Sequence, residues 1–236
     1  MAERPKCPHT DSHFEDKDPA TLLDIGRPAK LQFQEFAHPW LTRAQRSSES
    51  ENWFEALIYL WVAFNAWLGL AVTDRDYSER DWYLWRCAAL HPTFHQKLAE
   101  SIASSRRLRE TAHRFHSLSP IFKARALADE GIPPWGEWGV DEPRGEYRRR
   151  AFSRGLRNTD YSPSCFLDHQ EDPNDLSALD PERIPNDWEH TLAGIYMVRC
   201  NLFHGGKSFL SSKDKDFVSM SFTILSSVWW GSIGDA

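Results

Sequence analysis

Hydrophobic positions along the chain recur at intervals of three and four residues, which is the spacing of amphipathic helices and not of strands. The most apolar stretch, Trp53 to Val72, is about long enough to cross a bilayer. It contains Glu55 and Asn65, and no basic flank follows it, so we interpret it as the central helix of a soluble bundle and not as a membrane span. Ser48 and Glu51 form a capping-box pattern that predicts the start of this helix.

Two shorter helices flank this central element. The pattern predicts one over residues 31–37, which stops before Pro39, and another that starts near Ser78 and Asp81. The second is expected to end near His91, because the proline after it disfavours the helical conformation of the residue before it.

A long helix is predicted to open at Thr93 and Gln96 and to run to about Ser117. Its apolar residues are the candidate core positions Phe94, Leu98, Ile102, Leu108, Ala112 and Phe115. A further apolar helix, with Trp188, Leu192, Ile195 and Leu202 on one face, is predicted to start at the Asn186 and Glu189 pair and to end at Gly205–Gly206. A final helix follows it near the C-terminus.

The order of these elements predicts an all-α fold, since no sustained alternation of polar and apolar residues marks a strand. Residues 1–28 are expected to form a disordered tail, and residues 29–236 a single helical domain. Residues 131–187 are turn-rich and proline-punctuated, which indicates an irregular insertion between the early and late helices. Loops of that length in a compact domain are usually functional or disordered.

Charge is distributed unevenly along the chain. The net charge of −6 disfavours a generic polyanion binder, but a basic cluster within the insertion offers a local grip on a phosphate backbone. We predict that this cluster binds RNA, or alternatively that it pairs with the acidic residues between 168 and 189. Its members are Arg148, Arg149, Arg150, Arg154 and Arg157.

The cysteines do not show the paired spacing of a disulfide framework or a metal site. Cys7, Cys87, Cys165 and Cys200 are scattered, and no signal peptide precedes them, so reduced thiols in a cytoplasmic protein are expected. The Cys7–His13 segment lacks a fourth ligand and is interpreted as part of the tail. We therefore expect no metal and no cofactor.

The segment RCNLFHGGKS, residues 199–208, ends in the letters that close a phosphate-binding loop. A phosphate loop needs a glycine where this chain has Asn201, and it lies between a strand and the start of a helix. Here the motif lies at the predicted end of a helix, where the dipole disfavours anions. The sequence excludes a phosphate loop.

The same segment also contains an arginine and a histidine, Arg199 and His204, separated by four residues. An arginine fork can hold phosphoryl oxygens, and a histidine that titrates near neutrality can move a proton. These are the groups needed to cleave RNA without a metal, because a base activates the 2′-hydroxyl and a cation stabilises the charged transition state. The structural alternative is a histidine at a helix end and an arginine in a salt bridge.

This segment, at the end of an apolar helix near the C-terminus, resembles the signature of the HEPN superfamily, and the stretch LWVAFNAW at 60–67 resembles its long first helix. The resemblance implies a helical bundle that forms a homodimer in which two Arg/His motifs share a cleft. Many members are metal-independent ribonucleases in toxin–antitoxin or phage-defence systems, which implies RNA and an antitoxin or other defence protein as partners. Others bind RNA, nucleotides or partner proteins without cutting.

Carried over by position, the resemblance makes Arg199 and His204 the catalytic pair. The family often has a polar residue directly after the arginine, where this chain has Cys200, so the supporting role is assigned to Asn201. Asn65 lies within an apolar helix, where its amide needs hydrogen-bond partners. It is interpreted either as a tie between helices or as a group that orients the catalytic helix. Two functions remain open, a metal-independent endoribonuclease and a non-catalytic binding module.

Overall fold

The computed structural model of the protein describes residues 18–26, 30–74, 81–117, 187–204, 209, 212–230 and 232. Within these ranges the chain is all-α, as the sequence predicts, and its one β feature is an isolated bridge between Leu23 and Val72. A 3₁₀ helix (Pro19–Leu22) comes first and a π-helical segment (Ser226–Trp230) comes last. Between them lie α1 (Lys30–Phe36), α2 (His38–Glu49), α3 (Trp53–Ala71), α4 (Asp81–Leu90), α5 (Pro92–Ser104), α6 (Arg106–Ser117), α7 (Trp188–Phe203) and α8 (Ser212–Leu225).

The apolar helix α3 occupies the centre of the bundle, which agrees with the interpretation from its composition. It packs against α2 and also contacts α1, α4, α7 and α8. By length and composition alone α3 would be able to cross a membrane, but 56% of its most apolar window is buried inside the fold. Its fully buried large side chains are Leu57, Leu60, Trp61, Phe64, Trp67 and Leu68.

The junction before α3 differs from the sequence prediction. Residues 38–49 form a helix, α2, that the pattern did not predict, and its proline lies in the first turn, where a missing N–H costs nothing. Ser48 lies inside α2 and its hydroxyl donates to the Gln45 carbonyl oxygen over 2.7 Å. The capping box was therefore wrong. Asn52 is the N-cap of α3, without a side-chain capping bond, and Glu51 makes the turn with a left-handed φ of 56°.

The single helix predicted from Thr93 to Ser117 is two helices, α5 and α6, separated at Ser105. The six-residue interval between Ile102 and Leu108 does not match a helical period, so a break is needed to return the apolar residues to the core. The Ser105 hydroxyl oxygen accepts a hydrogen bond from the Leu108 N–H over 3.2 Å and so caps α6. The N-cap of α5 is His91 and not Thr93.

Helix α7 crosses the middle of the fold and contacts α3, α4, α5 and α8. The sequence predicted one apolar face, but every residue from Trp188 to Ile195 is buried. The N-cap is Asp187, one residue after the predicted Asn186, which lies outside the described residues. A chain of aromatic rings, Trp67, Phe94 and Trp188, with centroids 6.0 and 5.7 Å apart, joins α3 and α5 to the start of α7.

Residues 18–26, which the sequence analysis placed in a tail, contact the end of α3. Leu22 and Leu23 are buried, and the Thr73 N–H donates to the Leu22 carbonyl oxygen over 2.8 Å. This part of the predicted tail therefore packs on the bundle. Most of the predicted insertion at 131–187 lies outside the described residues.

Candidate active site

Three helices meet around the side chain of Arg199, and each contributes two residues spaced four apart, so that both project from the same helix face. The central helix α3 and the start of α4 supply the polar and aromatic walls, and the last turn of α7 supplies the cation. The pairs are Trp61 and Asn65 on α3, Asp81 and Trp85 on α4, and Arg199 and Phe203 on α7.

The guanidinium of Arg199 forms an ion pair with Asp81, with an Nη2–Oδ2 distance of 3.0 Å. The Asn65 amide Nδ2 donates a hydrogen bond to the other oxygen of that carboxylate, Oδ1. The side chains of Arg199 and Asp81 are 19% and 31% exposed, so the pair is partly shielded from water. Asp81 thus links the amide that α3 carries to the arginine that α7 carries.

Aromatic rings surround the same guanidinium. The carbon atom Cζ of Arg199 lies 4.6 Å from the ring centroid of Phe203, 5.6 Å from that of Trp61 and 5.8 Å from that of Tyr196. Each ring face attracts the cation. Contacts from several directions fix the position of the guanidinium. A flexible arginine on the surface lacks such contacts.

Tyr196 completes the aromatic wall and is held between α4 and α7. Its ring stacks on Trp85 with centroids 4.8 Å apart and an interplanar angle of 22°. Burial raises the pKa of Tyr196. Cys200, which hydrogen-bonds with the phenol, and the nearby Asp81 raise this pKa further. The phenol therefore stays protonated at neutral pH. The Arg199 Nη1 donates weakly to the Cys200 sulfur over 3.8 Å.

His204 lies at the C-cap of α7, where its backbone N–H donates to the Cys200 carbonyl oxygen over 3.0 Å. Its side chain is exposed, unlike most of α7. An exposed imidazole is accessible to a substrate and can accept or donate a proton there. The end of α7 therefore combines a fixed cation with an accessible group that can transfer a proton.

The other predicted site residues fall in different environments. Asn201, predicted to support catalysis, is buried with 1% exposure in the last turn of α7. The contact of Asn65 with Asp81 ties α3 to α4, as the first interpretation of that amide predicts, and Asp81 in turn pairs with Arg199. The five arginines of the predicted RNA-binding cluster, at 148–150, 154 and 157, lie outside the described residues.

Asp81 is the site residue that sequence reasoning missed. It was used only as a mark of a helix start, and an acid in the first turn of a helix is commonly explained by the helix dipole. Its partner Arg199 lies more than a hundred residues away in sequence, so local spacing carries no signal for the pair. The one sign of Asp81 in the sequence was the Asn65 amide, which lies in an apolar helix and therefore needs a hydrogen-bond partner.

The described ranges contain no group of three or more His, Cys, Asp or Glu side chains arranged to hold a metal ion. In comparisons with known proteins, no family model matches the chain, and no curated protein or solved structure shows significant similarity to it.

Proposed function

We propose that the protein is a metal-independent endoribonuclease of HEPN type that uses Arg199 and His204. The observation that carries this proposal is the fixed guanidinium at the end of α7, which Asp81 and three aromatic rings hold one turn before the exposed His204. A preorganised cation that is partly shielded from water stabilises developing negative charge more strongly than a solvated one does.

The proposed reaction is transesterification at a phosphodiester. His204, as the neutral imidazole, accepts the proton of a ribose 2′-hydroxyl, whose oxygen then bonds to the adjacent phosphorus. The bond from phosphorus to the 5′-oxygen breaks, and that oxygen receives a proton and leaves as a 5′-hydroxyl. Arg199 stabilises the additional negative charge on the phosphoryl oxygens. The products are a 2′,3′-cyclic phosphate and a 5′-hydroxyl end.

The proposal includes a homodimer, because cleavage requires an acid as well as a base and each chain supplies one His204 at this position. Two copies that share a cleft would provide both groups. The proposed biological setting is toxin–antitoxin or phage defence, in which a partner protein restrains the nuclease. This setting and the dimer rest on the resemblance of residues 199–208 and 60–67 to the HEPN superfamily.

The second candidate is a non-catalytic RNA-, nucleotide- or partner-binding module. The Arg199–Asp81 ion pair favours it, because the carboxylate already neutralises the guanidinium and ties α4 to α7. In that case Arg199 stabilises the bundle and His204 only ends a helix. The two candidates differ in whether His204 is needed for cleavage, since its exposed side chain contributes little to the fold.

The test is cleavage of a single-stranded RNA by purified protein in the presence of EDTA. We expect a 2′,3′-cyclic phosphate product from the wild-type protein and at least a 100-fold lower rate from His204→Ala, because the base is lost. The melting temperature should stay within about 1 °C, because the side chain is exposed. His38→Ala, which removes another exposed histidine, is the matched control.

Cleavage that stops on adding EDTA, or that continues in His204→Ala, would refute the mechanism. An active monomer by light scattering would refute the shared cleft. Absence of cleavage in the wild-type protein, together with specific RNA binding, would support the non-catalytic module.

A further inference from the structure

Phe203 presents an exposed aromatic ring between the two residues of the proposed catalytic pair. It is 49% exposed, whereas Trp61 and Trp85, which line the same site, are 1% and 2% exposed. The bundle buries the other large rings that line this site wholly or partly, so Phe203 is the aromatic ring of the described site that is most accessible to a ligand. A hydrophobic ring on the surface is informative when it adjoins a polar site.

The ring already has one fixed neighbour. The guanidinium of Arg199 lies 4.6 Å from its centroid, nearer than to either of its other two rings. Asp81 in turn fixes that guanidinium. The exposed part of the ring is therefore a flat apolar surface placed beside a cation that can hold a phosphate.

We propose that Phe203 is a stacking platform for one nucleobase of a single-stranded RNA, next to the phosphate that Arg199 binds. The inference rests on the proposed ribonuclease function of Arg199 and His204 and extends it to the substrate. Proteins recognise single-stranded RNA largely by stacking unpaired bases on aromatic side chains. Because every base has a π-face, the platform selects unpaired over paired RNA and discriminates only weakly among the bases.

The experiment measures binding separately from cleavage. The probe is a short single-stranded RNA with 2′-O-methyl riboses, which lack the attacking hydroxyl, in intact form and with one base removed at each position in turn. Its Kd is measured for the wild-type protein, Phe203→Leu and Phe203→Tyr. Phe36→Leu is the matched control, since Phe36 lies on α1 and is 52% exposed.

Phe203→Leu should raise the Kd for the intact probe by about 5- to 150-fold, the loss expected for one base stacked on an aromatic ring. Phe203→Tyr, which keeps an aromatic ring, should bind the probe with the wild-type Kd, and so should Phe36→Leu. Removing the base at one position should weaken wild-type binding by a similar factor and add no further loss in Phe203→Leu. That coupling would not arise from a merely structural role of the ring.

Three results would overturn the platform. The first is an unchanged Kd in Phe203→Leu, and the second is a loss on base removal that is as large in Phe203→Leu as in the wild-type protein. The third is conversion of a wild-type dimer to a monomer by that substitution, which would assign the ring to a subunit interface. Failure of the stacking platform can be distinguished from failure of the proposed ribonuclease function. Normal cleavage by the wild-type protein without the coupling refutes only the platform, and the coupling without any cleavage refutes only the nuclease.

Discussion

The two ends of α7 are built in opposite ways. At the N-terminal end the Asp187 carboxylate accepts a hydrogen bond from the His190 backbone N–H over 2.9 Å. The same carboxylate pairs with Nδ1 of the His190 imidazole over 2.7 Å. The Trp188 indole N–H donates to the Ala88 carbonyl oxygen over 2.9 Å. At the C-terminal end, by contrast, Phe203 and His204 are exposed.

If the proposed function holds, the difference separates the part of α7 that stabilises the fold from the part that performs the chemistry. Buried polar groups at the first end are satisfied within the fold, so substitutions there leave costly unpaired groups or cavities. At the second end a charged side chain is fixed while its neighbours remain accessible to a ligand. A helix anchored firmly at one end can hold a reactive group in position at the other, which is what a preorganised site requires.

The largest effect on stability is expected from Trp188→Ala. The ring is fully buried, packs against Phe94 and donates a hydrogen bond to the Ala88 carbonyl oxygen, so its removal leaves a cavity and takes away one of the two hydrogen bonds that this oxygen accepts. We expect the free energy of unfolding to fall by about 3–5 kcal/mol, measured by urea denaturation. Trp188→Phe is a milder variant in case Trp188→Ala does not fold.

Phe203→Leu is the comparison at the other end, and its exposed ring should change the free energy of unfolding by less than about 0.5 kcal/mol. Equal losses at both ends would show that α7 is not divided into a stabilising and an accessible end.

A smaller, pH-dependent effect is expected at Asp187. Burial tends to raise the pKa of its carboxyl, but the hydrogen bonds and charge of His190, with a further contribution from the charge of His95, leave the pKa below its ordinary value of 3.8. The folded state therefore binds the proton less tightly than the unfolded state does. This contribution is complete above the unfolded value and is lost as the pH falls through the lower folded pKa.

Asp187→Asn keeps a side chain that can cap the helix but removes the charge. At pH 6 it should lower the free energy of unfolding by about 1–3 kcal/mol, and the difference from wild type should shrink as the pH falls below 3.8. Thermal melts between pH 6 and 3 measure it. A difference that stays constant across that range would show that the carboxylate charge does not stabilise this end.

The sequence predicted some of the helices and site residues and missed others. Helices α3, α4 and α7 were predicted because they are apolar runs longer than a buried strand and lie between recognisable start and stop signals. Helix α2 is largely polar and was missed, and the break at Ser105 was visible only as a six-residue interval in the apolar pattern. Arg199 and His204 were selected from their spacing together with the resemblance of their segment to a known signature, and both lie at the end of one helix.

What local spacing did not contain was the environment of Arg199. Asp81 and Trp61 come from other helices, and their contact with Arg199 depends on how α3, α4 and α7 pack together. Packing of distant segments is a property of the whole core and not of any window of sequence. Asn65 gave a partial signal, because an amide in an apolar helix must find a partner.

Asp81→Asn is expected to have a small effect on stability, and it tests whether the ion pair positions Arg199 for the proposed reaction. The substitution keeps the size of the side chain and removes its charge, so the guanidinium of Arg199 loses its ion pair but not its aromatic contacts. Because both partners are partly exposed, the free energy of unfolding should fall by about 1 kcal/mol or less. Asp216→Asn, which removes the exposed pair with Arg114, is the matched control for loss of an ion pair elsewhere.

If Asp81 positions the guanidinium for catalysis, Asp81→Asn should lower kcat by about 10- to 100-fold with little change in KM, since a displaced cation no longer matches the transition state. Asp216→Asn should leave both constants unchanged. Steady-state cleavage of a single-stranded RNA in EDTA measures this difference. If both variants instead cleave at the wild-type rate and lose similar stability, the Arg199–Asp81 pair ties α4 to α7 and does no more. The aromatic contacts of Arg199 would then be sufficient to hold its guanidinium in position.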